Sequence, residues 1–248
     1  MSYEESAQYY DSFDTKGNSA FYVDIASRSE GKVLELGAGT GRVLFEIAAL
    51  GREVVGIDNS PAMLREAKRK RREDHADICA RCRFVLADML SFDLGERFAF
   101  VYAASAAVQT PSADDLRGIF RNAADHLEPG GVFAFDVAAP RTMRRTEAFG
   151  PERAELPGGR VVIRFIAQTY RPSTDTVSFD ILYKEHIPGR TSTVTVNETG
   201  QAAVITPEAI EEAIEYAGLR INEMYGDFDR TPYTGKSPYI VVLAGHGE

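Results

Sequence analysis

The chain has 248 residues, 44% of them hydrophobic and 26% charged, a globular balance that argues against long disorder. A chain of this size buries roughly 70% of its extended surface on folding, which supports a full core without disulfides or metal. The 28 basic and 37 acidic residues leave a net charge of -9; that charge repels a phosphate backbone, so a nucleic-acid partner is not expected, whereas a cationic or zwitterionic small ligand is.

The opening Met1-Ser2-Tyr3-Glu4-Glu5-Ser6 is polar and acidic, with no secretory signal, and no apolar run approaches the ~20 residues of a membrane span. A cytoplasmic protein with no membrane partner is expected. Residues 4–13 and 18–28 read as helices. Residues 32–36 (KVLEL) form a strand that runs into Gly37-Ala38-Gly39-Thr40-Gly41, and residues 42–50 follow as a helix with Val43, Leu44, Ile47 and Ala48 on one face. Residues 53–57 are a second strand ending in Asp58. Ser60 and Pro61 then suit the N-cap and first position of another helix, whose basic run 68–72 reads as a solvated face. Cys79 and Cys82, the only cysteines, lack the second ligand pair of a zinc site and read as structural. Residues 83–87 are a third strand ending in Asp88, and residues 98–103 a fourth. Residues 114–127 form a helix broken by Pro129-Gly130-Gly131, and residues 132–137 are a fifth strand.

Strands alternating with helices at short connections imply an α/β fold, a Rossmann-like doubly wound parallel sheet. After Pro140 the pattern changes. Residues 160–170, 176–186 and 191–199 alternate, are rich in β-branched and aromatic residues, and read as an inserted antiparallel β-meander. Thr206-Pro207 opens a last helix, and residues 219–225 and 239–244 close the sheet. The organisation expected is an N-terminal helical lid (1–30), a core (31–139 and 206–248) and a β-rich insert (140–205) that shapes a substrate cleft. The insert's free strand edge leaves monomer and homodimer both open.

The glycine-rich turn at 37–41 lets a strand bend sharply into a helix while a ligand approaches the main chain. Its spacing is G-x-G-x-G with Arg42 sixth, whereas the dinucleotide fingerprint wants a glycine there. That lowers the alternative of an NAD(P)-dependent oxidoreductase, as does the lack of a Tyr-x-x-x-Lys pair. Asp58 at the end of strand two can accept both hydroxyls of a ribose, with Asn59 beside it. Asp88 at the end of strand three can accept an adenine amino group, with Met63 and Met89 packing the ring. Three successive strand ends converge on the carboxyl edge of the sheet, where open α/β folds bind ligands.

Residues 32–137 resemble the class I S-adenosylmethionine-dependent methyltransferases through VLELGAGTGR (33–42), VVGIDNSPAML (54–64), FVLADM (84–89) and HLEPGGVFAFDV (126–137). The resemblance implies strand order 3-2-1-4-5-7-6 with the last strand antiparallel, and S-adenosylmethionine as cofactor. The segment MYGDFDRTPYTGKSPYIVVLA (224–244) is similar to members that methylate small metabolites, amino sugars and antibiotic intermediates among them. Ala99 departs from the Asp that many members carry there. The resemblance further implies that Glu35 orders the cofactor's methionine end and that Gly37, Ala38 and Gly39 wall it. Asp58 takes the ribose and Asp88 the adenine, the carbonyl of Ala104 meets the ammonium, and Tyr10 folds over the sulfonium.

Methyl transfer from a sulfonium is an in-line displacement, and positioning supplies much of the rate. The Asn/Asp-Pro-Pro-aromatic turn of nucleic-acid amine methylases is absent after strand four, where Ala103-Ala104-Ser105-Ala106 stands. No carboxylate-bound magnesium site of the catechol type can be assembled, and the four histidines show no metal spacing. The expected reaction is methylation of a small molecule, at an amine nitrogen before an oxygen; a non-catalytic cofactor-binding protein is the remaining alternative. Tyr9, Tyr22 and Gln109 are expected to line the acceptor pocket. Tyr9, Tyr10, Gln109 and His186 are the candidates to act on the acceptor.

Overall fold

The structure, a computed structural model, describes residues 3–13, 17–110 and 112–247. Residues 1, 2 and 14–16 of the expected lid lie outside the described residues. A seven-stranded sheet forms from β1 (Val33–Leu36), β2 (Val54–Asp58), β3 (Cys82–Leu86), β4 (Phe98–Ala103), β5 (Leu127–Ala138), β10 (Leu219–Tyr225) and β11 (Tyr239–His246). Its order is β10-β11-β5-β4-β1-β2-β3, parallel from β3 to β5, with β11 antiparallel to both neighbours. This is the order 3-2-1-4-5-7-6 expected from the sequence.

Period-two alternation sends Leu34 and Leu36 to one face and Val33 and Glu35 to the other. The first face packs on α5 (Ala113–Asp125) and α7 (Pro207–Tyr216) through Leu116, Ile119, Phe120, Ile210 and Ile214. The second packs on α2 (Ser19–Arg28), α3 (Arg42–Ala49) and α4 (Pro61–Glu73) through Phe21, Tyr22, Leu44, Ile47 and Leu64. Residues 19–28 therefore pack into the core. Ser60 and Thr206 cap α4 and α7 as the sequence predicts, accepting from the amides of Met63 and Ala209 at 3.3 Å each.

Several elements differ from expectation. Residues 4–13 make a turn, a 3-10 turn at Ala7–Tyr9 and one helical turn, α1 (Tyr10–Phe13), instead of one helix. The hydroxyl of Ser6, placed to cap them, is spent on Glu198. Pro129-Gly130-Gly131 does not precede β5 but lies within it: the pairing jumps from Phe98–Leu127 to Phe100–Val132, and Gly130 takes φ +77°. A further short helix, α6 (Pro140–Met143), follows β5.

The insert is an antiparallel sheet ordered β6-β7-β8-β9, from β6 (Glu147–Leu156), β7 (Arg160–Arg171), β8 (Thr176–His186) and β9 (Val194–Ala203). β6 was not expected, because Gly150-Pro151 interrupts a polar stretch; it is an exposed edge strand, where proline is tolerated. Among the described residues no helix is long and apolar enough to cross a membrane.

One glycine inside a strand sets the approach of the glycine-rich turn. A Cβ at Gly56 in β2 would stand 2.6 Å from the Cβ of Ala38 and 2.7 Å from Cδ1 of Leu44. Gly56→Ala is expected to push the turn and α3 off the sheet and cost about 1–3 kcal/mol, read as a lower thermal midpoint than Gly39→Ala gives by packing.

Candidate active site at the carboxyl edge of the sheet

The turn after β1 is fixed from below. The amide of Ala38 donates to the carbonyl of Ile57 at 2.9 Å, and Gly37, Gly39 and Gly41 take φ +71°, +54° and +83°. A Cβ on Gly37 would meet the Cβ of Ala107 at 2.8 Å, so this glycine admits the loop after β4; one on Gly39 would meet nothing within 4 Å. Asp58 joins two loops: its Oδ2 accepts from the amide of Gly39 and its Oδ1 from that of Ser60, each at 2.8 Å. Burial pushes its carboxyl above the usual range, and those two amides pull the other way. Each oxygen keeps acceptor capacity for a further donor.

The neighbouring strand end stands alongside. The amide of Ala87 donates to the carbonyl of Asp58 at 3.1 Å, and exposed Asp88 turns one oxygen to the amide of Leu90 at 2.9 Å. Met89 reaches to within 3.5 Å of where a Gly37 Cβ would lie. Met63 is buried with Ala62 and Ala7, and Tyr3 and Tyr10 pack against them edge to face, 5.9 Å between centroids. The structure thus brings Gly37, Ala38, Gly39, Asp58, Asn59, Met63, Asp88, Met89 and Tyr10 to one rim. Tyr3 is an addition. It was read only as part of a polar start, yet its phenol is held up by burial and by the charges of Glu198 and Asp58.

Beneath the rim, Glu35 is 3% exposed and its Oε2 is buried without a hydrogen-bond partner. Burial raises its carboxyl from 4.5 to about 8, with the Tyr102 hydroxyl and the Arg42 guanidinium acting oppositely. A buried, unpaired carboxylate oxygen is costly and suits a cationic ligand above it. The glycine turn, the spare acceptors of Asp58 and this oxygen together fit an adenosyl sulfonium donor with its ammonium end.

The loop after β4 carries the feature the sequence concealed. Ser105 and Ala106, neither of them glycine, both take φ +59°. Buried Asp136 of β5 holds them, accepting from the amide of Ser105 on Oδ1 and from that of Ala106 on Oδ2, each at 2.8 Å, while the Tyr22 hydroxyl donates to Oδ1 at 2.5 Å. Arg42 and Asn18 reach the Ser105 hydroxyl at 2.9 and 3.1 Å. The carbonyl of Ala104 accepts from the amide of Ala107 at 3.3 Å. The one signal for Asp136 was an acid inside the apolar run VFAFDV.

The residues expected on the acceptor side take up the following contacts. Tyr9 is 1% exposed and donates to Glu185 Oε2 at 2.9 Å, pinning the N-terminal segment to the insert; burial pushes its phenol up to about 12. Tyr22 is fully buried under the β4 loop. Gln109 accepts from the amide of Ala138 at 2.9 Å and donates to the carbonyl of Ala203 at 3.3 Å, clipping core to insert. His186 is exposed at the end of β8, paired across to Val161. Within the basic run, Lys70 pairs with Asp11, Arg69 pairs with Glu66 and Glu73, and Arg71 donates to the carbonyl of Cys82.

Two outcomes follow for the unliganded protein. Asp136→Asn turns an amide NH2 towards one of two backbone donors and should cost about 1.5–3 kcal/mol, with faster hydrogen exchange at Ser105 and Ala106; unchanged protection would mean the carboxylate does not hold the loop. The unfolded Glu35 carboxyl ionises near 4.5 and the folded one near 8. Between them the folded chain keeps a proton the unfolded chain has lost, so stability falls as pH rises through that window. Glu35→Gln should remove this fall, measured as thermal midpoints against pH.

Comparison with known proteins agrees with this geometry. Residues 33–131 match a family described as a methyltransferase domain. The chain is 27% identical over 213 residues to a cypemycin N-terminal methyltransferase from a Streptomyces species, covering 85% of this chain and 81% of that protein. Its fold matches the CcbJ methyltransferase of Streptomyces caelestis with a TM-score of 0.82 and 25% identity over 100% of this chain and 99% of the other. It also matches the glycopeptide N-methyltransferase MtfA in complex with S-adenosylmethionine, with a TM-score of 0.61 and 25% identity over 95% and 96% of the two chains. Residues 33–131 thus carry a methyltransferase domain, and with its relatives and structural neighbours this makes the chain an S-adenosylmethionine-dependent methyltransferase with S-adenosylmethionine as its cofactor.

Proposed function

We propose that the protein methylates a small molecule at an amine nitrogen. The carrying observation is how the insert sits on the site. β9 is tied at its middle to the N-terminal segment through Glu198 and Ser6, and at its end to the segment after β4, where the amide of Ala203 donates to the carbonyl of Thr110 at 2.8 Å. A roof anchored on both sides of the rim leaves space for a small acceptor or a chain end and excludes a folded macromolecule. The acidic surroundings, with Glu35, Asp58 and Glu198 all held above the usual carboxyl range by burial, favour cationic ligands over anionic ones. Two relatives with amine acceptors in their names support the nitrogen reading.

In this reading the cofactor supplies a methyl group on a sulfonium, ready for in-line transfer. Asp58 takes the ribose hydroxyls and Asn59 flanks them. Asp88 takes the adenine amine, with Met63 and Met89 on the ring. Gly37, Ala38 and Gly39 wall the chain beside Ala104, and Glu35 faces the ammonium. Tyr10 and Tyr3 close over the donor and exclude water, and an aromatic face near the sulfonium contributes about 0.5–2 kcal/mol. Asp136 keeps the β4 loop rigid, so that acceptor and methyl carbon meet on one axis.

The test is direct. The full-length protein is incubated with S-adenosylmethionine and paired probes, each amine matched by its hydroxyl counterpart, and S-adenosylhomocysteine release is followed with product mass. Methylated amines with unmodified alcohols are expected; methylation of the alcohols alone would reassign the acceptor atom to oxygen.

A further inference from the structure

The insert carries a buried carboxylate that no step above uses. Glu198 of β9 is 7% exposed. One oxygen accepts the hydroxyl of Ser6, and the other, Oε2, is buried without a hydrogen-bond partner. The cross-strand register pairs Glu198 with Ile181 and Val196 with Tyr183. Alternation then puts Glu198 on the same face as Tyr183, which packs on Tyr9 and Phe13 of the N-terminal segment. Glu198 thus points towards the core and not to solvent.

Its place relative to the rim follows from one dipeptide. Ser6 touches Glu198, while Ala7, the next residue, packs on Ala62 and Met63 at the start of α4. Tyr3 closes the same gap, feeling the charges of both Glu198 and Asp58. The cation nearest by sequence register is unavailable: Arg164, cross-strand from Tyr183, pairs with Glu152 at 2.6 Å and stacks 4.6 Å over the ring of Phe13. The other titratable groups acting on Glu198 are Glu5, the phenols of Tyr3 and Tyr183, and the N-terminal ammonium, whose positive charge draws the carboxyl down against burial while Oε2 keeps no hydrogen-bond partner. A carboxylate oxygen left bare in a buried position is expensive unless a ligand completes it.

We propose that Glu198 receives the acceptor: its Oε2 binds the protonated amino group of a primary or secondary aliphatic amine and takes one proton from it. The freed nitrogen lone pair then forms the N–C bond as the C–S bond of the donor breaks, its electron pair remaining on sulfur as the thioether. The positive charge passes from sulfur to the methylated nitrogen, and the proton taken earlier rests on Glu198 until it leaves to solvent. This rests on the amine reading given under Proposed function and adds the residue that recognises the amine.

The experiment uses the full-length protein with S-adenosylmethionine, two amine probes (a dipeptide with a free amino terminus and a methyl glycoside bearing an amino group) and their hydroxyl counterparts. Glu198→Gln should lower kcat/KM for the amine by about 10- to 100-fold, while S-adenosylhomocysteine affinity is unchanged. Glu198→Asp should restore part of the activity. The Gln variant should melt no lower than the parent in mildly alkaline buffer, since it removes a bare buried charge and can still accept from Ser6. Wild-type turnover of amines with equal turnover by Glu198→Gln discards the role of Glu198 and leaves the amine reading standing. A Gln variant that loses cofactor affinity and thermal midpoint together shows a structural residue and overturns the proposal. Turnover of the hydroxyl probes alone, or of none of the four, counts against the amine reading itself and takes the proposal with it.

Discussion

The site depends on carboxylates placed at strand ends to gather backbone amides that regular structure leaves unpaired. Asp58 ends β2 and holds the glycine turn and the start of α4 together through the amides of Gly39 and Ser60. Asp136, near the end of β5, holds the amides of Ser105 and Ala106 in the loop after β4. Two consecutive non-glycine residues with positive φ cost of order 1–3 kcal/mol each. Charge-assisted bonds of about 1.5–3 kcal/mol apiece offset that cost. The loops at this edge are therefore rigid because buried negative charge is directed at N–H groups, not because they are short.

Arg42 shows how a departure from one motif serves another. The dinucleotide fingerprint requires glycine at this position for close packing of helix on strand. Here Gly56 and Ala38 provide the close packing, and Arg42 is free to reach across to Asn18 and the Ser105 hydroxyl at 2.8 and 2.9 Å. Asn18 begins α2, so the guanidinium links the N-terminal helix to the β4 loop. The start of α3, the N-terminal helix and the β4 loop thus share one polar network with Asp136 and Tyr22.

The core was legible because its signals are local. KVLEL, EVVGI and FAFVYA are apolar strands bounded by glycine, proline or a capping residue, and Ser60-Pro61 and Thr206-Pro207 declare helix starts by their own chemistry. The cofactor rim was legible for the same reason, since each of its acids follows a readable strand. Residues whose roles arise from distant pairings were not legible. Tyr9 looked like a cleft aromatic, yet its hydroxyl meets Glu185, 176 residues away in sequence. Ser6 lies in a stretch that reads as helix, yet its hydroxyl bonds Glu198, 192 residues away. β6 was hidden because an edge strand exposed on nearly every residue shows no hydrophobic period.

The same long-range pairings explain why recognition of the two reactants falls to different parts of the chain. In the reading proposed above, the donor's adenosyl group meets groups set by the parallel strands, which any member of the fold can present in the same order, and the acceptor meets the insert, whose inner face is set by its own register and by whatever the N-terminal segment covers. Along that face Tyr183 and Val162 are buried against the lid, while Ile166, Phe179 and Ile181 are half-buried. Glu198 is the acid placed among them with an unpaired oxygen. Glu185 on the same face is taken up by Tyr9 and Arg160; in the proposed reading, apolar residues around the one unpaired carboxyl oxygen select a cation with an apolar or neutral body, because they offer shape and leave charge recognition to one atom. Glu35 is the corresponding carboxylate on the donor side, buried with one oxygen unpaired. In the reading proposed above, the unpaired oxygens of Glu35, which keeps its proton up to about 8 in the free chain, and of Glu198 weaken the empty protein until a positive group arrives at each, so stability given up in the free chain is returned as selectivity for two cations on either side of the transferred methyl.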